Sequence, residues 1–306
     1  MAIVSAEKFV QAARDNGYAV GGFNTNNLEW TQAILRAAEA KKAPVLIQTS
    51  MGAAKYMGGY KVCKLLIENL VESMGITVPV AIHLDHGHYE DALECIKVGY
   101  TSVMFDGSHL PVEENLEKAR KVVEFAHANG VSVEAEVGTI GGEEDSIIGD
   151  GELAPIEDAK AMVATGIDFL AAGIGNSHGP YPENWSGLHL DHLQKLTEAV
   201  PNFPIVLHGA SSVLPEFVAK CNEFGGNIPG AQGVPEEMLR KAAQMAVCKI
   251  NIDTDLRLAM TASVREYLAQ NPSEFDPRKY LGPARDAIKG MVAHKIKNVL
   301  GSSNKL

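Results

Sequence analysis

Cysteine is scarce and scattered. The four in 306 residues (Cys63, Cys95, Cys221, Cys248) form no CxxC pair. That excludes a disulfide scaffold and thiolate metal clusters, and fits reduced, buried thiols in a cytoplasmic protein. No apolar run approaches the roughly 18 residues that a membrane helix needs. The segment Met1 to Phe9 has no basic stretch followed by an apolar one, so neither a membrane nor a secretory signal is expected. Positive charge is in deficit: 27 Lys+Arg face 38 Asp+Glu, a net −11. This excludes the basic field of a nucleic-acid binder while leaving local sites for small anions open. No Pro/Ser linker, low-complexity tract or charge block divides the chain, so one domain spanning 1–306 is expected. GxGxxG, the usual first-turn signature of a doubly wound dinucleotide-binding sheet, is also missing.

What is present is a repeat. Short apolar, β-branched runs occupy 18–24, 43–50, 78–85, 100–106, 131–138, 167–175, 203–209 and 248–253, eight in all. Gly or Pro bounds them and helical patterns separate them, as in βαβ units on a parallel sheet. Phe9, Val10 and Ala13 mark a helix before the first run, closed by Gly17. Val62, Leu65, Leu66, Asn69 and Leu70 define a helix face after the second run, and Leu116, Ala119, Val122, Val123 and Ala126 one after the fourth. Eight strand–helix units in one chain close most economically into an α/β fold of the (β/α)8 TIM-barrel type, here with a C-terminal helical extension.

Polar residues end nearly every run: Asn24; Gln48 with Ser50; Asp85 with His86; Asp106; Glu134 with Glu136; Asn176 with His178; His208; Asn251 with Asp253. The C-terminal ends of barrel strands share one mouth, where barrel enzymes keep their chemistry. His86, His178 and His208 each precede a glycine and would converge there. Three neutral imidazoles with an open fourth position make a catalytic metal site. His83 reads as a barrel-interior residue and His88 as exposed, although His86-Gly87-His88 also fits the HxH pair of metal-dependent hydrolases. Two roles fit Asp85: a general acid/base beside the metal, or a partner that holds an imidazole in one tautomer.

Glu134 and Glu136 share one strand face, costly for carboxylates inside a barrel unless a metal, cation or proton meets them. GTIGGEED (138–145) reads as a Gly-hinged loop that brings Glu143, Glu144 and Asp145 over substrate. HGASS (208–212) and NIDTDL (251–256) follow the last two strands, where barrels frequently bind phosphate. Ser211, Thr254 and nearby N–H groups suit that role, and Arg257 and Arg278 are candidates for a second anionic contact.

HLDHG (83–87), EAEVGTIGGEED (134–145), GNSHGPY (175–181), HGASS (208–212), NIDTDLR (251–257) and FDPRKYL (275–281) together resemble the class II, metal-dependent fructose-1,6-bisphosphate aldolases, in order along nearly the whole chain. The resemblance implies a cytoplasmic glycolytic enzyme. It would cleave fructose 1,6-bisphosphate reversibly into dihydroxyacetone phosphate and glyceraldehyde 3-phosphate through a zinc-stabilised enediolate. It further implies that His86, His178 and His208 hold Zn2+. Asp85 resembles the acid/base acting at the aldehyde-derived oxygen, and Glu144 the base that moves the enediolate proton. Glu136 matches a carboxylate near the metal, and Glu134 and Asp106 match positions around a second divalent metal. Asn24 and Ser50 would contact substrate. Gly179, Gly209, Ser211, Asn251, Asp253 and Thr254 resemble the triose-phosphate site, which often holds a monovalent cation (Na+ or K+). Arg257 and Arg278 resemble contacts to the other phosphate, Arg278 reaching in from a neighbouring subunit of a homodimer or homotetramer.

Two departures stand out. Pro180-Tyr181-Pro182 occupies the stretch where many members carry a lysine near the phosphate, and HGASS has Ala210 and Ser212 in glycine places. The sister enzyme acting on tagatose 1,6-bisphosphate is the alternative; Asp253 argues for fructose, because tagatose members tend to have a small residue there. Lys249 lies one strand period before Asn251. It reads as a barrel-layer lysine, although a lysine Schiff base is the other known aldolase solution.

Overall fold

The computed structural model describes residues 2–144, 147–149, 151–179, 181, 184–230 and 232–306, with backbone alone at 143–144 and 147–149. Ten strands appear in chain order among them: β1 (Val20–Asn24), β2 (Val45–Ser50), β3 (Val80–Gly87), β4 (Ser102–Phe105), β5 (Ser132–Val137), β6 (Gly142–Glu144), β7 (Ile147–Gly149), β8 (Phe169–Ala172), β9 (Ile205–Leu207) and β10 (Val247–Ile252). Eight of them close into a barrel in the order β1-β10-β9-β8-β5-β4-β3-β2. Every barrel pairing is parallel. Helices cover the outside, so the barrel strands are buried throughout, which is why they read as continuous apolar runs. All eight expected runs are barrel strands.

The interior is layered. At the lower end the helix Glu7–Asn16 inserts Phe9, Val10 and Ala13 against Val20, Leu46, Ala81, Met104, Phe169 and Val206. Gly17 ends that helix at φ 64, the left-handed cap expected of it. Above this plug the interior turns polar, with Gln48, His83, Glu134 and Lys249 all fully buried. Gly22 makes room for them: a Cβ there would collide with the Gln48 amide.

Two expectations need correction. The segment read as a Gly-hinged acidic loop runs into the antiparallel hairpin β6–β7, inserted between β5 and β8 and not foreseen from the sequence. Its local pairing competes with the loop reading that the glycines suggested. In the helix Tyr60–Ser73 the buried stripe is Tyr60, Cys63, Ile67 and Val71, whereas Val62 and Leu65 are exposed. That helix carries two apolar stripes at helical spacing, and packing on the barrel selects the one that periodicity alone did not. A short helix, Met51–Met57, precedes it; Ser50 caps its N-terminus by accepting from Ala53 N at 3.2 Å.

After β10 come the helices Thr254–Gln270 and Pro277–His294 and a π-helical turn, Lys295–Leu300. The second of these packs on the first and on the helix Leu28–Lys41, which closes the last barrel unit beside the first. Phe169 is fully buried in the lower plug. Phe169→Ala is expected to cost about 3–5 kcal/mol, read as a lower urea midpoint with an unchanged m value.

Candidate active site and metal centre

Consecutive residues of a regular strand face opposite sides, yet Asp85 and His86 both turn into the mouth. The β3–β4 register shifts between Leu84 and Gly87, and His86 sits at φ +50. A bulge with a non-glycine residue in the left-handed region re-aims a side chain at a backbone cost, a combination that clusters at functional sites. The result brings three imidazoles together. Ring centroids lie 4.5 Å apart for His86–His208, 5.1 Å for His86–His178 and 6.2 Å for His178–His208.

One ligand nitrogen from each of the three lies within 4.8 Å of the others. A second set, His86, Asp106 and Glu136, meets the same limit. Both sets bear on a cation. His86 Nδ1 is bonded to Asp106 Oδ2 at 2.7 Å, while its Nε2 is buried with no hydrogen bond. Glu136 Oε2 is likewise buried and unbonded. Buried polar atoms left this way are costly unless something binds them, and a ring whose other nitrogen meets a carboxylate is the usual form of a metal ligand. Titration agrees. Burial pushes the His86 imidazole down, but the Asp106 bond and the charges of Asp85 and Glu136 pull it well above its ordinary value. Burial and then the charge of Asp106 raise the Glu136 carboxyl. His208 is pushed well down by burial, by His86 and by Lys249. Three imidazoles with Asp106 and Glu136 beside them are a donor set that fits a divalent metal.

Glu134 stands apart. It does not join Asp106 and Glu136 in the second set; it lies deeper, with Oε2 2.8 Å from Lys249 Nζ and Oε1 2.6 Å from His208 Nε2. A buried ammonium that needs a partner claims it, so its place at a second metal is not what the geometry supports. Lys249 and His83 occupy the same layer, with His83 Nδ1 on Ser102 Oγ at 2.8 Å, so both are interior groups as read. His88 is exposed.

Asp85, 1% exposed, is held at both oxygens. Asn24 donates to one at 2.8 Å and Asn251 to the other at 2.9 Å. Gln48 in turn donates to Asn24 at 3.0 Å. Asp85 faces a cavity of about 440 Å³ with His178, Gly179, Gly209, Ser211, Asn251, Asp253, Thr254 and Arg257. Ser211 Oγ accepts from Asp253 N at 3.4 Å and ties the two final loops together. Arg257 reaches its own Asp253 at 2.5 Å. Ser50 and Arg278 do not line this cavity. Ser50 caps its helix, and Arg278, 88% exposed, forks onto Asp276. The side chains of Glu144 and Asp145, and Pro182, lie outside the described residues, but the base of the hairpin meets the site. Gly141 O accepts from His178 N at 2.6 Å, and a Cβ at Gly142 would collide with the His178 carbonyl.

Tyr181 was not singled out from the sequence. Its hydroxyl accepts from Ser177 N at 2.9 Å and donates to Gly209 O at 2.7 Å, clamping the His178 loop to the His208 loop. Only its place inside GNSHGPY pointed to it.

The pattern of the family described as fructose-bisphosphate aldolase class-II matches residues 4–305. The chain belongs to this family. It is 68% identical over 314 residues to the fructose-bisphosphate aldolase of Streptococcus pyogenes serotype M1, with both chains covered in full. It is 44% identical over 326 residues to that of Treponema pallidum (strain Nichols), covering all of this chain and 98% of the other. Among solved structures it is similar to the YdjI aldolase from Escherichia coli K12, with a TM-score of 0.79, 27% identity and 99% of each chain covered. As a class II fructose-bisphosphate aldolase the protein is a lyase that acts on sugar phosphates. None of the helices among the described residues is long and apolar enough to cross a membrane.

His86→Ala and His208→Ala are each expected to lower zinc affinity by more than about 100-fold, and Asp106→Asn, which removes an outer bond, by about 10–100-fold. His88→Ala should leave it unchanged. Equilibrium dialysis against competing chelator measures all four, and loss of zinc in His88→Ala would restore the HxH reading.

Proposed function

We propose that fructose 1,6-bisphosphate is cleaved reversibly in this mouth by a zinc-assisted route, yielding dihydroxyacetone phosphate and glyceraldehyde 3-phosphate for glycolysis. The observation that carries this is the convergence of His86, His178 and His208 around a buried, unbonded His86 Nε2. Held by those three residues, zinc supplies Lewis-acid polarisation of the substrate carbonyl and stabilises the charge left when the C–C bond breaks. The chain does the rest. Asp85, fixed by Asn24 and Asn251, takes the proton of the C4 hydroxyl as the aldehyde half forms. Glu144, on the hairpin anchored at His178, returns a proton to the remaining carbon.

The phosphate of the ketone half is one carbon from the polarised carbonyl, so it lies next to the metal-ligand loops. Gly179, Gly209, Ser211, Asn251, Asp253 and Thr254 surround that position, with a monovalent cation (Na+ or K+) beside Asp253. The left-handed glycines let backbone approach: Gly179 has φ +79, and a Cβ at Gly209 would strike the Ser177 carbonyl. Arg257 takes the second phosphate with Arg278 of a neighbouring subunit, which makes a homodimer or homotetramer the working form. Asn24, which lines the cavity, bears on the sugar hydroxyls, whereas Ser50 supports the mouth only as a helix cap; Glu136 with Asp106 forms the place for a second divalent metal. The chain 1–306 works as one barrel domain with its helical extension, in the cytoplasm.

A coupled cleavage assay tests the route. Activity should fall to background with EDTA, return with zinc, and ignore borohydride. Activity that survives chelation and dies with borohydride plus substrate would move the chemistry to a lysine. Lys249, fully buried against Glu134, is badly placed to supply one.

A further inference from the structure

We propose that Lys295 is a positioning residue for the substrate phosphate: through Asp255 it fixes the loop Gly209–Val213 in its binding conformation. This rests on the placement of the ketone-half phosphate at Ser211 and Thr254 given above. Lys295 opens the π-helical turn at the far end of the chain and is fully buried. It does not line the cavity. Its ammonium has three donors and three partners: Asp255 Oδ2 at 2.9 Å, Glu236 Oε1 at 2.7 Å and Ser212 Oγ at 2.8 Å.

Asp255, 1% exposed, follows Thr254 directly and turns both oxygens onto the loop after β9. Oδ2 accepts from Ser212 N at 2.9 Å and Oδ1 from Val213 N at 2.7 Å. Val213 sits at φ +49. A β-branched residue is a genuine outlier in the left-handed region and persists only where its surroundings force it. The two carboxylate bonds supply that force. A carboxylate buried at this depth calls for an opposite charge against it, and Lys295 Nζ lies 2.9 Å from its Oδ2. Ser211, two residues upstream of Val213, faces the cavity, and its carbonyl accepts from Val234 N at 3.1 Å. Lys295 and Asp255 both bond Ser212, the residue next to Ser211, and so link the last helix to the mouth. π-Helical turns occur frequently at functional sites, and here the turn delivers the lysine.

The zinc-loaded enzyme is assayed in the condensation direction with each substrate varied separately. Lys295→Met is expected to raise KM for dihydroxyacetone phosphate about 10- to 100-fold, the scale of a small misplacement of binding groups. KM for glyceraldehyde 3-phosphate should move less than about twofold. Adding Val213→Gly, which holds φ +49 without a clamp, should recover most of the loss. If Lys295→Met does not fold, Asp255→Asn, which keeps Oδ1 as an acceptor, should show the same split. Equal rises in both KM values, or a loss that Val213→Gly leaves unrepaired, would overturn the positioning role. Ser211→Ala separates the two levels. If it leaves KM for dihydroxyacetone phosphate unchanged, the phosphate placement itself fails. If it raises that KM while Lys295→Met does not, the placement stands and only the role of Lys295 falls.

Discussion

A lysine ammonium in the middle of a barrel is tolerable only with a carboxylate against it, and the Lys249–Glu134 pair, 2.8 Å apart and fully buried, is the constraint on which the mouth is built. Glu134 has one oxygen left after that pairing, and His208 Nε2 takes it at 2.6 Å. His208 is thereby oriented, and its Nδ1 accepts from Asn251 at 3.0 Å, so one of these two bonds must give way when the imidazole takes a metal. Asn251 reaches Asp85, and Asp85 reaches Asn24. The groups that must be held still for chemistry are therefore links in one hydrogen-bonded chain that begins below them, in a layer solvent does not reach. Bonds linked in this way rigidify a buried polar layer, even with Asn251 Oδ1 left unbonded.

Backbone strain is placed where that rigidity exists. His86 at φ +50, near the end of β3, and Val213 at φ +49, in the loop after β9, both lie at the barrel mouth. Each is compensated by a carboxylate: Asp106 bonds the His86 ring, and Asp255 bonds Val213 N. Such conformations cost of order 1–3 kcal/mol each and persist only where the surrounding structure over-determines them. The barrel strands and the plug beneath them provide that frame.

Much of this was legible in the sequence, for a specific reason. Parallel barrel strands are buried on both faces, so they stand out as apolar runs, and the polar residue that ends each run is conspicuous against them. Asp85, His86, His178, His208 and Asn251 were visible in that way. What stayed hidden had no contrast to reveal it. The helix Tyr60–Ser73 has two apolar stripes, and only the position of the barrel decides between them. Glu134 and Glu136 alternate on one face, but the sequence does not say that Lys249 claims the first and leaves the second for the centre. Tyr181 and Lys295 act through contacts with residues 28 and 83 positions away in the chain, and neither belongs to a spacing that marks a site.

The acidity of the protein bears on how such a site takes a bisphosphate. Around the mouth the chain places Asp85, Asp106, Glu136 and Asp253, while its buried cations Lys249 and Lys295 are each already matched by carboxylates. Side chains alone thus set several carboxylates around the mouth, and its one lining arginine, Arg257, is already on Asp253, which leaves little side-chain charge to draw a phosphate. Two features offset this. Backbone N–H groups at glycine-lined loops and at the start of the helix Thr254–Gln270 carry fixed partial positive charge without adding a base that could pair with those carboxylates. The carboxylate cluster that repels substrate is also what makes the three-imidazole centre attractive to a divalent cation, and a bound cation is the largest local charge and inverts the local sign. The same acidic residues that disfavour the substrate on their own therefore create the field that receives it, which is how a chain of net charge −11 can serve an anionic ligand.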